Sequence, residues 1–360
     1  METKVANITE ENLTEESAQK LLKEAGAIIK SGGLVAFPTE TVYGLGGDGL
    51  NPDSSRKIYA AKGRPSDNPL IIHISNWEAL GEIVKEIPKK AELLAQAFWP
   101  GPLTLVLKKA DKVPKETTGG LDTVAVRMPD DKVALAFIEA AGGYIAAPSA
   151  NTSGRPSPTE ASHVAEDMNG RIPMILDGGA VGIGIESTII DLTEAKPMIL
   201  RPGYITKQML EEVLQEEVVI DPGILATDTT DPSQNGQKPK APGMRYKHYA
   251  PKADLILVEG ETERVAAEIN RLTMNAQAEK MRVGIIATDE TMSYYKADVV
   301  VSIGARSDED AIAQHLYKIL RDFDAQEVDV IYSESFATPR IGQAIMNRLL
   351  KAAGYQVLYV

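Results

Sequence analysis

The residues able to do chemistry in this sequence are hydroxyls, amides and cations, and they come in short runs. The densest run is KGRPSDNPLIIH, which holds Lys62, Arg64, Ser66, Asn68 and His73. Lys62 and Arg64 stand two apart, with Pro65 stiffening the chain beside them, a pairing suited to polyphosphate. His73 falls inside an apolar strand. A histidine there is most often a satisfied core residue; its functional reading is a donor to a substrate carboxylate or hydroxyl. Arg127 (VAVRMP) and Arg201 (MILRPG) each end a strand just before a proline. Singly they read as solvated end charges. Together with Lys62 and Arg64 they would concentrate an anion such as a triphosphate in an otherwise acidic protein.

Three polar loops accompany these cations. PTETVYGLGGDG (38–49) carries Thr39, Glu40, Thr41 and Tyr43, with glycines at 44, 46, 47 and 49 that allow a ligand close to the backbone. The plainer reading is a structural turn, and no Gly-Lys-Ser/Thr follows to make a Walker loop. APSANTSGRPSPTE (147–160) offers Ser149, Asn151, Ser153 and Ser157, a set able to cradle phosphate or ribose hydroxyls or simply to cap a helix. ESTIID (186–191) opens a strand with Glu186, Ser187 and Thr188. What is missing narrows the chemistry. There is no cysteine, which excludes disulfides, thiolate metal sites and cysteine nucleophiles. Only four histidines occur, and no Ser-His-Asp, HExxH or paired-Asp pattern stands out. The remaining menu suits the binding and orientation of anionic substrates for attack at phosphorus, aided by Mg2+.

Such loops need a scaffold of strand ends to converge on one cleft. Apolar runs at 34–37, 69–75, 103–109, 123–129, 144–151, 174–179, 187–192 and 197–203 predict strands. Helical periodicity covers 15–30, 54–61, 77–85, 89–98, 133–141, 159–168 and 206–215. Early alternation followed by clustered strands predicts a twisted, mixed sheet with helices on its faces. From Asp221 to Lys252 the periodicity stops in a Pro/Gly/Gln/Thr-rich stretch. Within it, Lys238, Lys240, Arg245, Lys247 and Lys252 occur without an acid and interleave with Met244, Tyr246, His248 and Tyr249. A plain tether needs no such side chains; a segment lying over an anionic substrate does. After it, Val/Ile/Leu-rich strands again alternate with helices, predicting a small parallel α/β domain of Rossmann-like type. Gly260 is followed by Glu-Thr-Glu, so no dinucleotide fingerprint is present.

The 360 residues exceed one ordinary compact domain, and the net charge of −13 argues against non-specific wrapping of nucleic acid. The N-terminal METKVANITEENLTEE lacks an apolar signal core, and no apolar run reaches the roughly 20 residues of a membrane span. The sequence alone therefore predicts a soluble, cytoplasmic protein without membrane contact.

PTETVYGLG, KGRPSDNPL, VAVRMP, APSANTSGRPSPT, ESTIIDL and LRPG stand in the order found in the YrdC-type L-threonylcarbamoyladenylate synthases, which the chain resembles from about Ala25 onward. PGMRYKHYAPK and QAIMNRLLKAAG resemble the longer branch with a C-terminal Rossmann-like domain. The resemblance implies a YrdC-like catalytic domain over 1–220, a linker or lid over 221–252 and the Rossmann-like domain over 253–360. It implies a nucleotidyltransferase that converts L-threonine, bicarbonate and ATP to threonylcarbamoyl-AMP and pyrophosphate, with Mg2+ accompanying ATP. The product would pass to the tRNA threonylcarbamoyl-transferase machinery for t6A37 of ANN-decoding tRNAs. By motif, Thr41, His73, Arg127, Ala147 and Ser187 would contact threonine. Arg64, Asn68, Thr123, Ser149, Ser157, Arg201 and Tyr246 would contact ATP, with Lys62 by the phosphates and Arg245 and His248 as further linker candidates. Lys62, Arg64 and Arg127 are the expected catalytic cations. A rival reading, an RNA-binding module, is disfavoured by the acidic total charge. A carbamoyl-transfer relative of the hydrogenase-maturation type would need acylphosphatase-like and zinc-finger parts that the sequence lacks.

Overall fold

The computed structural model describes residues 2–225, 248–336 and 339–360. Eleven strands form one large mixed sheet: β1 (Lys4–Asn7), β2 (Val35–Phe37), β3 (Gly44–Asp48), β4 (Ile71–His73), β5 (Leu103–Lys108), β6 (Thr123–Arg127), β7 (Ile145–Ala147), β8 (Met174–Asp177), β9 (Thr188–Asp191), β10 (Met198–Arg201) and β11 (Val219–Ile220). Their spatial order is β1-β8-β2-β3-β7-β4-β6-β5-β9-β10-β11. Most are short apolar runs buried along their length, as expected where helices cover the sheet.

One strand departs from the sequence reading. The glycine-rich stretch Gly44–Asp48 is not a surface loop but β3, paired with β2 and β7 near the middle of the sheet. Its glycines serve packing as much as any ligand: a Cβ on Gly46 would lie 2.9 Å from the Ile145 side chain, and one on Gly44 2.9 Å from the Phe37 ring. The edge strands β1 and β11 were also not foreseen, being too short to show a period. The expected helix at 77–85 is reduced to Leu80–Ile83.

The second sheet has five strands, β12 (Asp254–Glu259), β13 (Val283–Ala287), β14 (Val299–Ser302), β15 (Val330–Glu334) and β16 (Val357–Tyr359). All neighbouring pairs are parallel, as Val/Ile-rich strands alternating with helices require. The order is β14-β13-β15-β12-β16, so the fourth strand of the unit sits between the first two. The two sheets do not build separate cores throughout. Val42 and Ile185, from the large-sheet half, belong to the same apolar cluster as Leu316, Phe336 and Ile345 of the small-sheet half. Gly184, at φ +86°, lies so close to the helix Glu309–Ala325 that a Cβ there would meet the Gln314 Cα at 2.4 Å. Among the described residues no helix is long and apolar enough to cross a membrane.

Candidate active site

The large sheet brings its cations together through register. His73 of β4 pairs with Arg127 of β6, Arg127 with Thr104 of β5, Thr104 with Ile189 of β9, and Ile189 with Arg201 of β10. One transverse row therefore carries a histidine and two arginines that lie far apart in sequence, and residues of one row share a face of the sheet. A register irregularity between Ile199 and Arg201 re-aims the last of them. Ala147 of β7 pairs with Ile71, one pleat away, and Ser149 bridges to Gly44.

Lys62 and Arg64 reach the same place from a helix end. Asn51 caps the helix Pro52–Lys62 by accepting from the Asp53 amide at 2.9 Å, and Pro52 occupies its first position. Gly63, at φ 62°, ends it in the left-handed conformation that glycine tolerates best. Lys62 is thereby the last helical residue, and its ammonium turns inward to donate to the carbonyls of Ser149 and Asn151. The Ser149 hydroxyl donates to Asn151 Oδ1 at 2.5 Å. A buried lysine thus pins the serine-rich loop to the helix.

Thr39, Thr41, Lys62, Arg64, His73, Arg127, Ala147, Ser149, Asn151, Glu186, Ser187, Arg201, His248 and Tyr249 all face one cleft. Nine of the residues expected from the sequence meet there: Thr41, Lys62, Arg64, His73, Arg127, Ala147, Ser149, Ser187 and Arg201. Asn68, Thr123 and Ser157 do not line it. Asn68 is buried beside Arg64, whose Nη2 donates to the Pro69 carbonyl at 3.2 Å. Thr123 starts β6, at the end opposite Arg127; continuing the Ile71–Ala125 register two residues back sets it level with Pro69. Ser157 sits behind the wall and donates to Glu186 at 2.5 Å. Tyr246 and Arg245 lie outside the described residues; His248, the other linker candidate, and Tyr249 beside it line the cleft.

The polar contacts sort into two ends. At one, Arg127 donates to the Thr41 hydroxyl at 2.9 Å, Thr41 shares a hydrogen bond with Thr39 at 2.9 Å, and Glu40 makes an ion pair with Arg127 at 2.6 Å. Burial, with Arg127 adding to it, lowers the His73 pKa to about 3, so the imidazole is neutral at physiological pH. At the other end, burial lowers the Arg64 pKa to about 10 and takes that of Lys62 well below the usual lysine range, with Arg64 reinforcing the latter. Arg201 joins the two ends: its Nε donates to the Ser187 carbonyl at 3.0 Å and its Nη2 to the Ser187 hydroxyl at 3.1 Å. Beyond the Glu40–Arg127 ion pair, several buried atoms here have no hydrogen-bond partner, namely Arg64 Nε, Asn68 Oδ1 and Glu40 Oε1. Such groups are costly unless a ligand or water meets them.

Sequence reasoning missed the groups that support the site from the small-sheet half. Arg348 and Tyr317 both bond to Glu186. The signal was present for Arg348: it stands on the apolar face of the helix Gly342–Ala352, between Ile345 and Leu349. Tyr249 was noted only as part of the linker; it is buried and stacks on Tyr317 with ring centroids 5.2 Å apart.

Fold and cleft together define an α/β protein with a YrdC-like mixed sheet, a cation-lined cleft at its strand ends and an appended parallel α/β unit. The Sua5/YciO/YrdC family model, described as "Telomere recombination", matches residues 27–203, and a second, "Threonylcarbamoyl-AMP synthase, C-terminal domain", matches 205–354. A threonylcarbamoyl-AMP synthase of Pyrococcus abyssi is 48% identical over 97% of this chain and 98% of its own length, and one of Bacillus subtilis is 48% identical over 94% of each. A crystal structure of Pyrococcus abyssi Sua5 complexed with L-threonine superposes with a TM-score of 0.90 at 47% identity, covering 99% of this chain and 100% of that one. The chain belongs to the threonylcarbamoyl-AMP synthase family.

Proposed function

We propose that this chain makes L-threonylcarbamoyl-AMP and pyrophosphate from L-threonine, bicarbonate and ATP, as a nucleotidyltransferase serving t6A formation on ANN-decoding tRNAs in the cytoplasm. One observation carries the reading: the register row that sets His73, Arg127 and Arg201 on a single cleft with Lys62, Arg64 and Ser149. The threonine-bound relative supports it.

In this reading Arg127, Thr41, His73 and Ser187 hold threonine. The Arg127 guanidinium meets the amino acid's carboxylate, and neutral His73 donates without adding a charge that would draw the carboxylate away. Bicarbonate loses hydroxide to give CO2, the threonine amine adds to its carbon to form a carbamate, and the proton the amine loses leaves with that hydroxide as water. A carbamate oxygen then attacks the α-phosphorus of ATP in line; the P–O bond to the β-phosphate breaks, and pyrophosphate leaves with the electron pair. Lys62, Arg64 and Arg201 offset the charge that develops on the phosphates. Mg2+ would enter as the ion of the ATP substrate: among the described residues no cluster of three His, Asp or Glu side chains is placed to hold a metal, and Mg2+ commonly binds through phosphates and water. A carbamate is unstable in water, so His248 and Tyr249, at the cleft wall, have the role of excluding it.

Pyrophosphate release from ATP, measured with and without L-threonine and bicarbonate, tests the proposal. Release that depends on both supports it. Release indifferent to threonine, or salt-steep tRNA binding with no ATP consumption, would overturn it.

A further inference from the structure

The wall of the cleft between Ser187 and Arg201 is held from the other sheet. Arg348 is fully buried and spends its guanidinium on this wall alone. Its Nε donates to the Glu186 carboxylate at 3.0 Å, its Nη2 to the Glu186 carbonyl at 3.2 Å, and its Nη1 to the Pro202 carbonyl. It thereby clasps the residue before Ser187 and the residue after Arg201. Tyr317 adds its hydroxyl to the same carboxylate at 3.0 Å, and Ser157 adds another from the serine-rich loop. Burial pushes the Glu186 pKa up, but Arg348, Arg201 and the Ser157 hydroxyl outweigh it and hold the carboxyl at about 2, so it is ionised. Burial and the neighbouring Glu186 keep the Tyr317 phenol protonated and hence a donor.

The charge balance makes this arrangement consequential. Arg348 and Arg201 both act on this carboxylate, and burial together with Arg348 and Arg201 lowers the Lys351 pKa to about 7. Glu186 lines the cleft, and the field of Arg201 already acts on it. A carboxylate so placed has two arginines available to it. If it paired with Arg201, that guanidinium would be neutralised where an anionic substrate needs it.

We propose that Arg348 is a positioning residue for the cleft: by holding the Glu186 carboxylate on the small-sheet side, it keeps Glu186 from closing an ion pair with Arg201. The appended α/β unit thereby sets the electrostatics of a site built on the other sheet. The inference rests on the reading of Arg201 as a nucleotide-contacting group.

The test is ATP affinity, measured by calorimetry on the full chain without threonine. Arg348→Gln keeps an amide donor but removes the charge, and is expected to weaken ATP binding about tenfold or more. Adding Glu186→Gln to it removes the carboxylate that would turn on Arg201, and most of the lost affinity should return. A purely architectural Arg348 predicts the opposite, a double variant as weak as the single one or weaker, and that result would overturn the inference. Should Arg348→Gln fail to fold, Tyr317→Phe decides. It deletes one donor to Glu186 without opening a cavity, and should weaken ATP binding about threefold in the parent and not at all in a Glu186→Gln background. An unchanged Tyr317→Phe variant counts against the proposal. A parent chain that binds no ATP removes the nucleotide reading itself; a parent that binds ATP, with variants that match it, removes only the role of Arg348.

Discussion

Two buried ionic clusters stand at strand ends in this chain, one in each sheet, and they are built on different principles. In the small sheet, Glu334 ends β15 and collects donors from Thr291, Arg306 and Tyr295, the last at 2.8 Å. Every one of these donors aims at a single carboxylate, and no atom of Glu334 is left without a hydrogen bond. In the large sheet, Arg64, Asn68 and Glu40 each keep a buried polar atom without such a partner. Glu40 pairs with Arg127 through one carboxylate oxygen at 2.6 Å, yet its other oxygen meets no donor. A satisfied network rigidifies a fold, while an unsatisfied one costs stability that binding can return. The difference, more than the mere presence of charges at strand ends, distinguishes a site from a structural node.

The comparison is sharpest at Arg127. Its replacement by alanine strands Glu40 in the interior and removes the carboxylate partner assigned to it, so threonine-dependent pyrophosphate release should fall roughly 100- to 1000-fold. ATP binding should survive in the same variant, as calorimetry would show; equal loss of both would misplace the residue. Lys62→Met comes next. It leaves the Ser149 and Asn151 carbonyls without their donor, at about 1–3 kcal/mol for a buried polar group, and should weaken ATP binding by tenfold or so while lowering the melting temperature.

Glu334→Gln probes the other cluster. Loss of one carboxylate oxygen as acceptor should destabilise the fold by about 1–3 kcal/mol in denaturant titrations while turnover per folded molecule stays unchanged. A fall in turnover without a fall in stability would erase the distinction drawn between the clusters. The last probe concerns acid, and at neutral pH it has no effect. His73 is harder to protonate in the fold, near 3, than in the unfolded chain, near 6.5. Between those values the unfolded chain binds the extra proton, so stability declines as pH falls through that window, at up to about 1.4 kcal/mol per pH unit. His73→Asn should flatten the acid limb of a stability-versus-pH curve, and an unaltered slope would show that the imidazole is not held neutral.

Much of the site could be read from the chain because its residues sit at strand and helix termini marked by proline or glycine. Arg127 before Met128-Pro129, Arg201 before Pro202 and Lys62 before Gly63 all announce themselves this way. The five-strand walk from His73 to Arg201 could not be read, because register depends on which strands become neighbours, and β4, β6, β5, β9 and β10 do not lie in chain order. The glycines of β3 misled for a related reason: glycine marks a close approach without saying whether ligand or protein makes it, and here the side chains of Phe37, Ile145 and Ile58 do.

Composition and motif order by themselves determined the chemistry available to this protein: no thiols, few imidazoles, cations at element ends and hydroxyl-rich loops, in the sequence of a known family. Those are properties of residue type and short-range spacing, which local sterics and charge fix without reference to the rest of the chain. Tertiary structure alone decided which cations share a cleft and which carboxylate attends them. Glu186 and Arg348 are 162 residues apart. Their pairing exists only because the last helix packs against the large sheet, and burial there turns a contact that water would screen into one that governs its neighbours.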